Sequence, residues 1–213
     1  MSLRFYLIRF IRYYNRHGLQ ETLKRIKEKM RLALLYRDEV IFYSDLIFIN
    51  SPPLSKPDNY KIEAKLKAEE INGKDLDCLR NIISAEILAY QFQERFPQSA
   101  IMWIIKIDDD LAGYVWSTGK STMLPSYLQL CNNDVYLFDV LVLPKYRGKN
   151  IFPILLGNVL FELKKMGFVR AFLIAHQWNE SAQKSFLKVT TKILAVVRKY
   201  GFGKHVFFTW RNS

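Results

Sequence analysis

The stretch Val135-Tyr136-Leu137-Phe138-Asp139-Val140-Leu141-Val142-Leu143-Pro144-Lys145-Tyr146-Arg147-Gly148-Lys149-Asn150-Ile151 decides the fold. Its first nine residues are aromatic, β-branched or leucine except for Asp139, and Pro144 ends the run. Such a run reads as a strand buried on both faces, which belongs at the centre of a sheet. A basic, glycine-containing turn follows, and the chain then takes up helical periodicity from about Phe152 to Lys165. A strand that passes through a short turn into a helix presents free backbone N–H groups and the positive end of the helix dipole, which together bind a phosphate. Lys145, Arg147 and Lys149 add positive charge there. The turn lacks the Gly-Lys-Ser/Thr of a Walker loop and has one glycine where a dinucleotide fingerprint needs three. A different pyrophosphate-bearing ligand is implied.

Outward from this core, the pattern predicts a strand Val169 to Ala175, a helix Glu180 to Lys188, a strand Ile193 to Tyr200 and a strand His205 to Trp210. On the N-terminal side, Ile62, Ala64, Leu66 and Ala68 alternate with polar residues over Lys61 to Ile71. Leu76, Leu79, Ile83, Ile87, Tyr90 and Phe96 recur at helical spacing over about Asp75 to Phe96. Ile101 to Ile107 and Leu111 to Trp116 flank Asp108-Asp109-Asp110 as a hairpin. This order predicts an α+β fold, a mixed sheet with helices on its faces. Residues 50–59, with Pro52, Pro53, Pro57, Ser51, Ser55, Asp58 and Asn59, read as a linker. It separates a basic amphipathic helical arm, residues 1–49, from a domain over residues 60–213. In the arm, Leu3, Leu7, Phe10, Ile11 and Tyr14 form one apolar stripe and Leu19, Leu23, Ile26, Met30 and Leu34 a second. Either its basic face is simply solvated, or it rests on anionic lipid or orients a phosphate-bearing acceptor.

The 213 residues, 50% hydrophobic with 15% aromatics, suffice for a packed core and exclude disorder over most of the chain. Two cysteines, Cys78 and Cys131, and three dispersed histidines, His17, His176 and His205, leave no basis for a disulfide scaffold or a metal centre. A reducing compartment and no metal are expected. The net charge of +12 is uneven. Residues 1–37 carry ten basic and two acidic side chains, residues 38–180 fifteen and eighteen, and residues 181–213 seven and none. With an acidic middle and no base-reading module, nucleic-acid binding ranks last. An anionic small molecule, a lipid headgroup or an acidic partner suits the basic ends better. The apolar N-terminal stretch, interrupted by Arg9, Arg12 and Arg16, is neither a span nor an export signal. The expected location is the cytoplasm, with residues 1–37 free to contact a protein or the inner membrane surface. A homo-oligomer stays open.

Pro144-Lys145-Tyr146-Arg147-Gly148-Lys149-Asn150-Ile151, opening a helix after a central strand, resembles the acyl-CoA pyrophosphate loop of the GCN5-related N-acetyltransferases, Arg/Gln-x-x-Gly-x-Gly/Ala. Asn179-Glu180-Ser181-Ala182-Gln183-Lys184-Ser185-Phe186 resembles that family's second motif, in which an Asn after a strand opens a helix beside pantetheine. The resemblance covers roughly residues 60–213 and implies a mixed, mostly antiparallel sheet flanked by helices. It also implies acetyl-CoA as co-substrate. Arg147, Gly148, Lys149, Asn150, Ile151 and Phe152 would line the pyrophosphate, with backbone N–H groups of Leu141, Val142 and Leu143 on the pantetheine and carbonyl, and Asn179 on the far side. The family's two small residues fall here on Asn150 and Phe152, and its frequent general acid, a Tyr, falls on Phe186. Asn tolerates the left-handed backbone that Gly favours. The plan of an arm before the domain is similar to that of acetyltransferases encoded with bacterial surface-polysaccharide enzymes.

The implied reaction is attack of a primary amine on a thioester, so the site must take a proton from the ammonium. Asp139, the one charged side chain in its apolar run, is the first candidate base, and His176, at the end of the following strand, the second. Asp134 and Glu86 rank behind them. The leaving thiolate could be protonated by water, Tyr146, Tyr200 or Ser185. The expected activity is N-acyl transfer, acetyl first, to a small and anionic acceptor such as a nucleotide-linked amino sugar. The alternative is a catalytically degenerate member of the same fold that binds a partner or a membrane through its basic arm. A peripheral membrane adaptor is the third reading.

Overall fold

The computed structural model describes residues 20, 22–23, 37–52, 54, 57–119, 121–189, 191–202 and 205–212. They form eight strands and four α-helices. The strands are β1 (Arg37–Asp45), β2 (Tyr60–Lys65), β3 (Ile101–Ile107), β4 (Asp110–Thr118), β5 (Asp134–Val142), β6 (Arg170–His176), β7 (Lys192–Phe202) and β8 (His205–Asn212). The helices are α1 (Gly73–Ile82), α2 (Ala85–Arg95), α3 (Ile151–Lys165) and α4 (Glu180–Phe186). One sheet runs in the order β2-β3-β4-β5-β6-β1-β7-β8. All neighbours are antiparallel except β5 and β6. The expected α+β architecture, mixed and mostly antiparallel, is the observed one, and β5 lies in the middle of the sheet.

The apolar pattern explains the layers. β3 is buried along its whole length, and Lys106 is held there by the buried Asp75 carboxylate at 2.7 Å. α3 buries ten of its fifteen residues, among them Ile154, Leu155, Leu156, Val159 and Leu163, against the sheet. Lys164 anchors its C-terminal end to the carbonyls of Ile47 and Ile49 at 2.9 and 2.8 Å. On the other face Phe92 and Phe96 of the α2 region pack on Trp116 of β4.

Two expectations are corrected. The arm was expected to reach residue 49, but Arg37–Asp45 is a strand inserted between β6 and β7, with Val40, Ile41 and Phe42 buried. The run Val40-Ile41-Phe42-Tyr43 is β-branched and aromatic with both faces apolar, which favours an inner strand over a helix. Residues 50–59 therefore do not divide an arm from the sheet, and Leu54 packs on the core. The stripes proposed within residues 1–36 lie outside the described residues, apart from the helical Gln20, Thr22 and Leu23. The single helix expected over Asp75 to Phe96 is two. Ile83 is extended, and Ser84 caps α2 by accepting the Ile87 N–H at 3.3 Å. No helix among the described residues is long and apolar enough to cross a membrane.

Candidate functional site

The site begins with one extra residue. Along β5 and β4 the pairs Trp116↔Phe138 and Tyr114↔Leu141 are two residues apart on β4 and three on β5, so β5 bulges between them. Asp139 sits in the bulge with φ 49°, a left-handed conformation that Asp accepts more readily than most residues. Gly113 of β4 pairs with Val142, just beyond the bulge. A Cβ there would come within 2.6 Å of the Leu141 carbonyl oxygen, so only glycine lets β4 approach the bulged strand. The bulge turns β5 away from β6. Their parallel pairing runs from Asp134↔Arg170 to Leu137↔Leu173 and goes no further. The closed end is clasped by Arg170, which donates Nε and Nη2 to the two oxygens of the buried Asp134 carboxylate, each at 2.8 Å.

Between the parted ends lies a cavity of about 990 Å³, lined by Phe138 to Val142 of β5, Ile174 to His176 of β6, the turn before α3 and the start of α4. Of the residues singled out from sequence, Asp139, Leu141, Val142, Arg147, Gly148, Asn150, Ile151, Phe152, His176 and Asn179 all line it. Leu143 does not. Its N–H donates to the Ala112 carbonyl at 2.9 Å, so the expectation that it holds a ligand is corrected: the backbone group is spent on the sheet. Because N–H directions alternate along a strand, Val142 points its N–H away from β4, and its carbonyl accepts Arg147 Nε on that side at 3.2 Å. Lys149 is also outside the lining, with Nζ 5.8 Å from the centre of the Tyr146 ring.

The turn before α3 is built on two left-handed residues. Gly148 has φ 78°, and a Cβ added there would meet nothing, so its role is conformational. Asn150, the N-cap of α3, has φ 55° and stands where the family pattern has a small residue. Its Oδ1 accepts from Lys188 Nζ at 2.6 Å, which brings a cation from beyond α4 to the mouth of the turn. Phe152 does not block the turn: it is buried, with its ring 5.6 Å from that of Phe186. Phe186, on which the resemblance places the family's Tyr, packs edge-on against Phe42 at 5.1 Å in an apolar cluster. Asn179 caps α4, accepting the Ala182 N–H at 3.2 Å.

The candidate proton-handling groups differ in their surroundings. Asp139 Oδ2 accepts from Arg95 Nη1 at 2.6 Å and Gln91 Nε2 at 3.1 Å, both on α2. Arg95 lies over the rings of Trp116 and Phe138 at 5.0 and 5.1 Å. Asp139 is thus half of an ion pair that ties the bulge to α2. His176 ends β6, opposite Glu39 of β1. Its Nδ1 is 3.5 Å from Glu39 Oε1, and its ring stacks on Trp178 at 5.4 Å with 16° between planes. Burial pushes the imidazole below its ordinary value, Glu39 pulls it back, and the charges of Arg37 and Lys199 add to the lowering. Of the weaker candidates, Asp134 is the buried partner of Arg170 at the closed end, and Glu86 is exposed on α2 outside the cavity. Tyr146 and Ser185 line the cavity, and Tyr200 does not.

Sequence reasoning missed Glu39, Gln91, Arg95 and Lys188. The first was hidden by placing residues 38–49 in the N-terminal arm instead of the sheet. The others are ordinary surface-type residues whose importance comes from partners far along the chain.

The sequence model described as the acetyltransferase (GNAT) family matches residues 69–189, more than half of the chain. No curated protein matches it. Solved structures share the fold at low identity. A conserved protein of unknown function from Staphylococcus epidermidis aligns with TM-score 0.55 and 10% identity over 84% of this chain and 65% of that one. A GCN5-related N-acetyltransferase from Kribbella flavida gives 0.53 and 13% over 85% and 63%. A GCN5-related glucosamine N-acetyltransferase region of a fungal multi-domain GH3 β-N-acetylglucosaminidase gives 0.52 and 13% over 84% and 22%. The chain thus spans less than two thirds of the length of these structures.

Proposed function

Since the chain belongs to the acetyltransferase (GNAT) family, we propose that it transfers an acyl group, acetyl first, from a coenzyme A thioester to a primary amine of a small acceptor. The observation that carries this reading is the cleft between β5 and β6, which gathers the left-handed turn at Gly148 and Asn150, the capped start of α4 and two proton-handling side chains around one cavity. The cavity has the size of a site for an extended small molecule. Val142 N–H and the exposed strand edge supply donors for an amide-bearing arm, and Arg147 and Lys188 supply charge for a pyrophosphate beside the N-terminus of α3. A bound thioester supplies an activated carbonyl.

The protein's own part is to hold the reactants, exclude water and accept a proton. We assign the proton to His176. Asp139 has Oδ2 committed to Arg95 and Gln91, whereas His176 lines the cavity as an imidazole biased toward its neutral form at neutral pH. Phe186 has no proton to give the leaving thiolate, so Tyr146, Ser185 or water takes that role. The basic residues favour an anionic acceptor, and nucleotide-linked amino sugars, the substrates suited to surface-polysaccharide synthesis, are the first to screen. Phe186 also supports a second reading, a degenerate member that binds a partner or a membrane through residues 1–37.

Isothermal titration with acetyl-CoA tests both. A dissociation constant in the micromolar range, about −8 kcal/mol, lost in Arg147→Glu, supports the transferase. No binding by the folded protein moves the weight to the degenerate reading.

A further inference from the structure

His176 and Glu39 are 137 positions apart in the chain and meet only because β1 inserts beside β6, so their contact belongs to the tertiary fold. The Glu39 side chain is 8% exposed, close to the limit at which a carboxylate survives without firm partners. It has three. The Tyr127 hydroxyl, from the loop between β4 and β5, donates to Oε2. Lys199 Nζ of β7 and His176 Nδ1 of β6 each lie 3.5 Å from Oε1. Burial first, and Glu39 second, hold the Tyr127 phenol well above its ordinary value, so it stays protonated and remains a donor. Oε2 is therefore committed, and Oε1 is shared between a lysine and the imidazole that lines the cavity.

Resting on the transferase reading above, we propose that Glu39 is the positioning residue for His176. Its carboxylate keeps the imidazole proton on Nδ1, leaving the Nε2 lone pair to take a proton from the acceptor ammonium. The balance is simple: R–NH3⁺ and neutral His176 give R–NH2 and imidazolium, and the new charge forms 3.5 Å from a buried anion that stabilises it. Lys199 opposes this by drawing on the same oxygen. Trp178 fixes the plane of the ring by stacking, and the His176 carbonyl, accepting from Asn179 N–H at 2.8 Å and Gln183 Nε2 at 3.2 Å, fixes the backbone. The charged and titratable groups around the imidazole are Arg37 and Glu39 of β1 and Lys199 of β7, with Tyr127 and the buried Tyr136 of β5 reaching it through Glu39. The arrangement is a hydroxyl–carboxylate–imidazole chain in which each member holds the next.

The test is ¹⁵N-histidine NMR of the full chain across pH, with His176 assigned by the signal lost in His176→Gln. Two variants push in opposite directions. Glu39→Gln removes the anion and should lower the His176 midpoint by about one pH unit, a tenfold weaker hold on the proton, as expected for an opposite charge 3.5 Å away. It should also even out the two neutral tautomers, which the ¹⁵N shifts distinguish. Lys199→Met, at a side chain 28% exposed, removes the competitor and should raise the midpoint, with a thermal melt confirming that the variant is folded. Opposite shifts support the proposal. A midpoint unmoved in Lys199→Met, or a tautomer unchanged in a folded Glu39→Gln, overturns it. The readout needs neither acetyl-CoA nor an acceptor. A failed acetyl-CoA titration with the NMR shifts intact would therefore remove the transferase reading and leave the Glu39–His176 pair standing.

Discussion

At residue scale the site turns on backbone conformations that few side chains accept. Asn150 combines a positive φ with a side chain that holds Lys188, and these two roles can be separated by substitution. Asn150→Gly should keep acetyl-CoA affinity within a few fold, because glycine relieves the left-handed backbone. Asn150→Ala should cost about 1 kcal/mol of stability and weaken affinity about tenfold or more. Titration and thermal melts of the two variants check this. His176 gives a pH signature. Its folded-state proton affinity lies below the ordinary value of 6.5 because of burial. As pH falls through 6.5 the unfolded chain takes up the proton first, so stability is full above that value and is lost as pH falls towards the folded one. The melting temperature should drop as pH falls below about 6.5, and drop less in His176→Gln.

At the scale of elements, the parting of β5 from β6 depends on the bulge, and the bulge on a glycine of the neighbouring strand. A methyl group at Gly113 would sit 2.6 Å from a backbone oxygen, which cannot swing aside as a side chain would. Gly113→Ala should therefore destabilise the protein by about 1–3 kcal/mol. It should also abolish acetyl-CoA binding, since the strand must shift where the ligand's donors lie. Binding retained at full strength in the variant would detach the bulge from the site. Helix α2 supports the same bulge through Arg95 and Gln91, so Arg95→Met leaves Asp139 without its cation. Its melting temperature should fall by the equivalent of about 1–3 kcal/mol, and Asp139→Asn in that background should recover part of the loss.

For the whole molecule, the sheet consists of two antiparallel parts, β2 to β5 and β6 with β1, β7 and β8, joined by four parallel residue pairs. Asp134 and Arg170 clasp the closed end of that joint, and α3 spans it. Arg170→Met would leave the Asp134 carboxylate, whose side chain is 2% exposed, without its cation and held by the Cys131 N–H at 2.8 Å. Because the guanidinium is itself 40% exposed, the loss is discounted to about 2 kcal/mol. Denaturant unfolding would show it, and the larger effect should fall on amide exchange at Val135 to Leu137 and Ala171 to Leu173, where the two parts meet.

The sequence by itself determined the local units: a strand from the run Val135 to Leu143, apolar but for Asp139, its end at Pro144, the left-handed turn from Gly148 and Asn150, and the helix that follows. Each depends on neighbours within a few positions, where periodicity and backbone preference act directly. The order of these units was enough for an α+β fold, and with the family resemblance it placed ten of the twelve expected site residues on the cavity wall. Only the tertiary structure decided that β1 belongs between β6 and β7, that Asp139 answers to Arg95, and that Glu39 reaches His176. These contacts join residues 44 and 137 positions apart. Strand register and neighbour choice follow from how the whole core closes, and no local pattern of hydrophobicity carries that information.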